Sequence, residues 1–126
     1  MNNYFDILDD YYFEMANLPP DRTGLSRVIW IDSLGKDRNN KHNCPRLKVQ
    51  NIPGNKIVPG DNFTIEISKK PKVIRGEVKI SYKELNSILD YISDNYDLFI
   101  KHWNRELNDD DLKEKLAERE CYKLKK

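Results

Sequence analysis

The chain has 126 residues and a mass of 15.0 kDa, with 38% apolar residues, 34% charged residues and a formal net charge of +1. That length builds one domain with a single core and no covalent staples, and no apolar run approaches the ~20 residues a membrane span needs. The N-terminus has no basic stretch leading into an apolar run, so no signal peptide is expected and a cytoplasmic protein is. The charge is unevenly placed: residues 1–21 carry five acids and no Lys or Arg, residues 22–79 carry thirteen Lys/Arg against five acids, and residues 80–126 carry nine against eleven. A basic centre between acidic ends is either neutralised internally by the acidic N-terminal segment or meets an anionic partner.

Tyr4, Phe5, Ile7, Leu8, Tyr11, Tyr12 and Met15 recur at helical spacing and predict a helix over 4–16, a strand being the alternative for so aromatic a run. Residues 18–25, rich in proline, aspartate and glycine, read as a turn. The run 27–32 (RVIWID) alternates and is β-branched, with Val28 and Trp30 on one face and Ile29 and Ile31 on the other, so cover is expected on both sides. The run 46–50 (RLKVQ) places Leu47 and Val49 inward and Arg46, Lys48 and Gln50 outward. Together these two runs read as a hairpin with a long basic tip. Residues 63–68 (FTIEIS) form the clearest strand, and residues 73–80 a last one, bent at Gly76.

Ser81 and Glu84 stand as a capping box, flanked by Ile80 and Leu85 as a hydrophobic staple. Leu85, Ile88, Leu89, Ile92, Tyr96, Phe99, Ile100 and Trp103 then follow as the stripe of one long helix ending near Trp103. Asn108 and the acidic turn 109–111 open a second, shorter helix, with Leu112 and Leu116 as its narrow apolar stripe. Residues 119–126 read as a loose tail. The expected fold is α+β: an antiparallel sheet of three to five strands with the long helix on one face and short N- and C-terminal helices.

Candidate chemistry is sparse. His42 and Cys44 share a polar loop, but nothing nearby supplies an orienting acid or an oxyanion hole, and two ligands do not make a tetrahedral metal site. His102 reads as a boundary residue. Asp109, Asp110 and Asp111 point three ways from a helix and cannot converge on one cation. Cys44 and Cys121 match no metal or redox spacing. No catalytic set, metal or cofactor is expected. The basic centre is the stronger feature: Lys36, Arg38 and Lys41 at the hairpin tip, Arg46 and Lys48 on one strand, and Lys69, Lys70, Lys72 and Arg75 around a later bend.

The runs TGLSRVIWID (23–32), HNCPRLKVQ (42–50), VIRGEV (73–78) and IKHWNREL (100–107) resemble a group of small, uncharacterised prokaryotic proteins. These share a TGLP run, a strand, an HxxPRIKV run and an amphipathic helix ending in tryptophan. More distantly, the order is similar to domains of unknown function encoded near toxin–antitoxin-like genes. Ser26 stands where a proline is usual there, and the tyrosine-rich N-terminal segment has no counterpart. The resemblance implies a bacterial or mobile-element setting and no particular reaction.

Two functions follow as expectations. The first is a non-enzymatic interaction protein of bacterial, phage or mobile-element origin that modulates a larger protein, such as a defence-system nuclease or toxin, in the manner of antitoxins or anti-CRISPR inhibitors. Tyr4, Asp9, Asp10, Tyr11 and Tyr12 are its expected partner-binding residues. The alternative is nucleic-acid binding through Lys36, Arg38, Lys41, Arg46, Lys48, Lys70 and Arg75. A ribonuclease-type toxin ranks last, since only His42 on the basic face qualifies as an acid or base.

Overall fold

The computed structural model describes residues 15–33, 35–36, 44–58 and 60–124, with the side chains of 122–124 excepted. Five strands, β1 (Met15–Leu18), β2 (Ile29–Asp32), β3 (Arg46–Gln50), β4 (Asn62–Glu66) and β5 (Lys72–Gly76), pair antiparallel in chain order. Four helices accompany them among the described residues: α1 (Pro20–Thr23), α2 (Tyr82–Asp94), α3 (Tyr96–Trp103) and α4 (Asp109–Leu124). The fold is α+β, as the alternation of the middle of the chain predicts.

Strand pairing aligns Leu18, Ile29, Val49 and Phe63 in one cross-strand row and Ala16, Ile31, Leu47, Ile65 and Val73 in the next. Side chains alternate along a strand, so both rows point to the same face. Ile88, Tyr91 and Ile92 of α2, Leu98 and Phe99 of α3, and Leu112 and Leu116 of α4 join them in one core. The helices therefore cover one face of the sheet, as the amphipathic stripe requires.

The opposite face corrects an expectation. Lys48 and Gln50 do point away from the core, yet Lys48 is only 4% exposed and Gln50 is fully buried, as are Trp30, Asp32 and Thr64 in large part. Part of the reason is visible beside β3. The Gln50 amide donates to the Lys56 carbonyl at 2.8 Å, and its side-chain oxygen accepts from Val58 N–H at 2.9 Å and from the Trp30 indole at 3.1 Å. The loop after β3 thus folds back over this face. Alternation assigns a residue to a face; it does not say whether that face is wet.

Arg27, just before β2, is 3% exposed. It donates to the carbonyls of Asn51 (2.5 Å) and Gln50 (3.4 Å) and to the Glu84 carboxylate. The Ser81 hydroxyl caps α2 by accepting from Glu84 N–H at 3.1 Å, but the Glu84 carboxylate turns chiefly to Arg27 and to the Ser26 hydroxyl. The first turn of α2 is thereby pinned to the sheet end.

Further expectations fail locally. The helix predicted from Ser81 to Trp103 is two helices: Asn95 is buried, donates from its side chain to the Tyr91 carbonyl at 2.9 Å and accepts from Arg119 at 3.2 Å. Its backbone N–H donates to the same Tyr91 carbonyl at 3.1 Å, and the helix is interrupted there for one residue. The C-terminal helix is the longest described element, not a short one, and residues 119–124 belong to it rather than to a loose tail. Arg119 holds this end in place through a bidentate pair to Asp97 at 2.7 and 2.9 Å. Met15 and Ala16, assigned to an N-terminal helix, are in β1, and residues 4–14 of that helix lie outside the described residues. The turn expected over 18–25 contains the end of β1 and the short helix α1.

The last strand ends at Gly76 instead of running to Ile80. Thr64 and Ile65 pair with Arg75 and Val73, leaving Ile74 as the extra residue of a bulge. Gly76 has φ +89°, and a Cβ there would lie 2.8 Å from the Asn62 carbonyl oxygen and from Phe63 Cα.

Gly60 shares a positive φ of +95° but has open space around it. Gly60→Ala is therefore expected to cost about 1 kcal/mol through backbone strain, and Gly76→Ala about 1–3 kcal/mol more through overlap with backbone. Equal shifts of the two urea midpoints would contradict the close approach of β5 to β4. A second pair tests the Arg27 anchor. Arg27→Met is expected to lose about 2–4 kcal/mol, because buried carbonyls lose their donor. Glu84→Gln removes the counter-charge of a guanidinium whose side chain is 4% exposed but leaves its carbonyl acceptors in place, so the urea midpoint should fall by less than in Arg27→Met.

Candidate functional site

β2 and β4 finish, and β3 and β5 begin, at the same end of the sheet. Two features gather there: a small polar pocket and a run of lysines.

The pocket is built by the turn between α3 and α4. Glu106 N–H donates to the Lys101 carbonyl (2.8 Å) and Arg105 N–H to the His102 carbonyl (3.0 Å), which is a Schellman closure of α3. Arg105 stands with φ +66° where glycine is usual. The turn delivers Asn108, whose side chain accepts from Asp111 N–H at 2.7 Å while the Asp111 carboxylate accepts from Asn108 N–H at 3.3 Å. The predicted cap of the last helix is therefore present. Gly35, φ +58°, lets the segment after β2 close on the end of α3: a Cβ there would lie 2.5 Å from the Trp103 carbonyl oxygen, which accepts from Lys36 N–H at 2.9 Å.

These turns bring together Ser33, His102, Arg105, Leu107, Asn108 and Asp109 around a cavity of about 160 Å³. His102, placed by sequence at a boundary, is only 6% exposed, and its Nε2 lies 2.7 Å from Asp109 Oδ1. A carboxylate only accepts, so Nε2 carries the proton. The Ser33 hydroxyl donates to the other oxygen, Oδ2, at 2.8 Å. The His102 hydrogen bond, with help from Ser33 and from the charges of His102 and Lys113, holds the Asp109 carboxyl below its ordinary 3.8 against the opposing effect of burial. The order of contacts matters chemically. The serine faces the carboxylate and not the imidazole, whereas nucleophile activation needs the base on the nucleophile. Asp109 is the hub of a clamp joining the end of β2, the end of α3 and the start of α4. The i to i+7 pairing of His102 and Asp109 has no periodic signature, so the sequence gives no sign of it.

The lysine run spans the β4–β5 connection and the first residue of β5. Lys69, Lys70 and Lys72 are exposed. Ser93 on α2 donates to the Lys69 carbonyl at 3.1 Å and fixes the turn against the helix. Of the cations predicted to bind nucleic acid, Lys36, Lys70 and Arg75 are exposed, Arg46 is half-buried and Lys48 is buried with its ammonium 3.5 Å from the Thr64 hydroxyl. Strand register places Lys48 and Arg75 in one row and Arg46 in the next, beside Glu66 and Lys72. Arg38, Lys41 and His42 lie outside the described residues, as do the expected partner-binding residues Tyr4, Asp9, Asp10, Tyr11 and Tyr12.

Cys44 and Cys121 are free thiols, half-buried and exposed respectively. Among the described residues, no group of three or more His, Cys, Asp or Glu side chains is placed to hold a metal ion, and no helix is long and apolar enough to cross a membrane. Compared with protein-family models, with curated proteins and with solved structures, the chain matches none.

The Asp109 clamp has a pH signature. A carboxyl held below its unfolded value contributes stability that is fully present above that value and is lost as pH falls through the folded one. Stability is therefore expected to fall below about pH 4, and Asp109→Asn should flatten that acid limb in a series of urea midpoints. An unchanged acid limb in the variant would show that the clamp carries no linked proton.

Proposed function

We propose that this is a non-enzymatic interaction protein of bacterial, phage or mobile-element origin, working in the cytoplasm, that modulates a larger protein as antitoxin-like or anti-CRISPR-like inhibitors do. The contact surface is the lysine-rich β4–β5 connection, and the partner presents acidic side chains to it. The observation that carries this reading is the state of Lys69, Lys70 and Lys72: all three are exposed, on a turn fixed by Ser93 and at the start of β5, and among the described residues none is in an ion pair. Unneutralised charge on a positioned turn steers association and selects partners of opposite sign.

Nucleic acid is the weaker reading for a stated reason. A duplex is held by cations spread along many phosphates, whereas Lys48, central to the expected patch, is buried and Arg46 half-buried. What remains is a short cationic edge, a size suited to a few carboxylates.

The test is a native pull-down at two salt concentrations with the wild-type chain and with a triple variant, Lys69→Glu, Lys70→Glu and Lys72→Glu. The expected result is a defined protein partner at low salt whose affinity falls by about tenfold or more in the variant, with the melting temperature nearly unchanged. Partners recovered equally by both chains would overturn the assignment of this surface. A salt-sensitive mobility shift of nucleic acid, abolished in the same variant, would replace it with the nucleic-acid reading.

A further inference from the structure

We infer that the outer edge of β5 is a docking strand for an extended acidic segment of the partner protein. This rests on the interaction reading above and goes further, since it names how the partner is held. β5 ends the sheet order and is exposed at Lys72, Ile74, Arg75 and Gly76. Among the described residues, Lys72, Val73, Ile74 and Gly76 have no backbone partner beyond β4. Arg75 has a partner of its own and the inference does not need it. An edge strand with open peptide groups is a template for a further strand.

Three features specify the occupant. Lys69, Lys70 and Lys72 stand at the start of the edge with no ion pair, so an incoming strand gains by carrying carboxylates there. Ile74, the bulged residue, is 41% exposed and gives an apolar side chain an anchor midway along the edge. The same lysines repel a second copy of β5, so self-association is disfavoured. The edge therefore rejects its own kind and accepts a short strand that alternates acidic and apolar residues.

The experiment uses the full-length, isotope-labelled chain and three synthetic probes: a short peptide alternating glutamate with valine, its backbone N-methylated counterpart, and a peptide alternating lysine with valine. Binding of the glutamate peptide should shift the amide resonances of residues 72–76 and slow their exchange. The N-methylated peptide should bind about tenfold more weakly, the equivalent of one or two lost main-chain hydrogen bonds, and the lysine peptide should not bind. Equal binding of the N-methylated peptide would reduce the contact to charge alone and overturn strand addition, while the interaction reading survives. Equal binding of the lysine peptide would also overturn it, and so would the absence of any shift with the glutamate peptide. If, in that last case, the triple lysine variant still loses its captured partner, only the docking mode has failed; if it does not, both proposals fall together.

Discussion

The two apolar rows that cross the sheet, one through Ile29, Val49 and Phe63 and the other through Ile31, Leu47 and Ile65, are the constraint on which the rest of the structure depends. All six side chains are buried to within about 1%. A slip of one residue in any strand would turn its set away from the helices, so the register is fixed by the core. Once it is fixed, the other face has no freedom either: Trp30, Lys48, Gln50 and Thr64 must lie there, and they are buried. Buried polar groups need partners, and that requirement shapes the loops. The Gln50 carboxamide meets it with three hydrogen bonds. Asn51 does the same next door, donating to Asp61 and to the Glu77 carbonyl and accepting from Lys79 N–H.

The helical layer follows from the same core but is held by ion pairs and hydrogen bonds at its corners. Arg27 pins the start of α2, Arg119 spans from α4 to the junction of α2 and α3, and Asp109 joins α3 and α4 to the end of β2. The break at Asn95 makes sense in this setting. A single rigid rod through residues 82–103 has one direction, whereas two shorter helices follow the twist of a five-stranded sheet. Asn95 is the one residue between the two helices, and its side chain adds a second donor to the Tyr91 carbonyl beside its own backbone N–H.

What was legible in the sequence was whatever has a period. Alternation located β2, β3 and β4, and the apolar stripe from Leu85 to Phe99 located the helix faces that meet them. Capping chemistry placed the starts of α2 and α4 at Ser81 and Asn108. Single-residue events were not legible, because they have no pattern to find: the interruption at Asn95, the bulge at Ile74 and the αL turn at Arg105. The full length of the C-terminal helix has no sequence signal because its apolar stripe is narrow, and Arg119 ties its later turns to Asn95 and Asp97 through polar contacts. His102 and Asp109 stand seven residues apart across a turn, which is not a spacing that predicts contact.

Charge was the least reliable guide to surface. The segment 22–79 holds thirteen basic residues, yet one of its cations, Arg27, is a buried structural donor, and another, Lys48, lies beneath the sheet's second face. Composition counts charges without regard to where the fold puts them. Lys69, Lys70 and Lys72 are exposed and, among the described residues, in no ion pair, and carrying like charges close together costs stability. The proposed interaction reading gives three lysines within four residues, beside a turn tied to α2, a role that the fold itself does not supply. The Asp109 clamp is the converse case: its serine, carboxylate and imidazole have the residue types of a catalytic triad, but both donors point at the carboxylate. That geometry holds three elements together and places the imidazole on the carboxylate instead of on the hydroxyl.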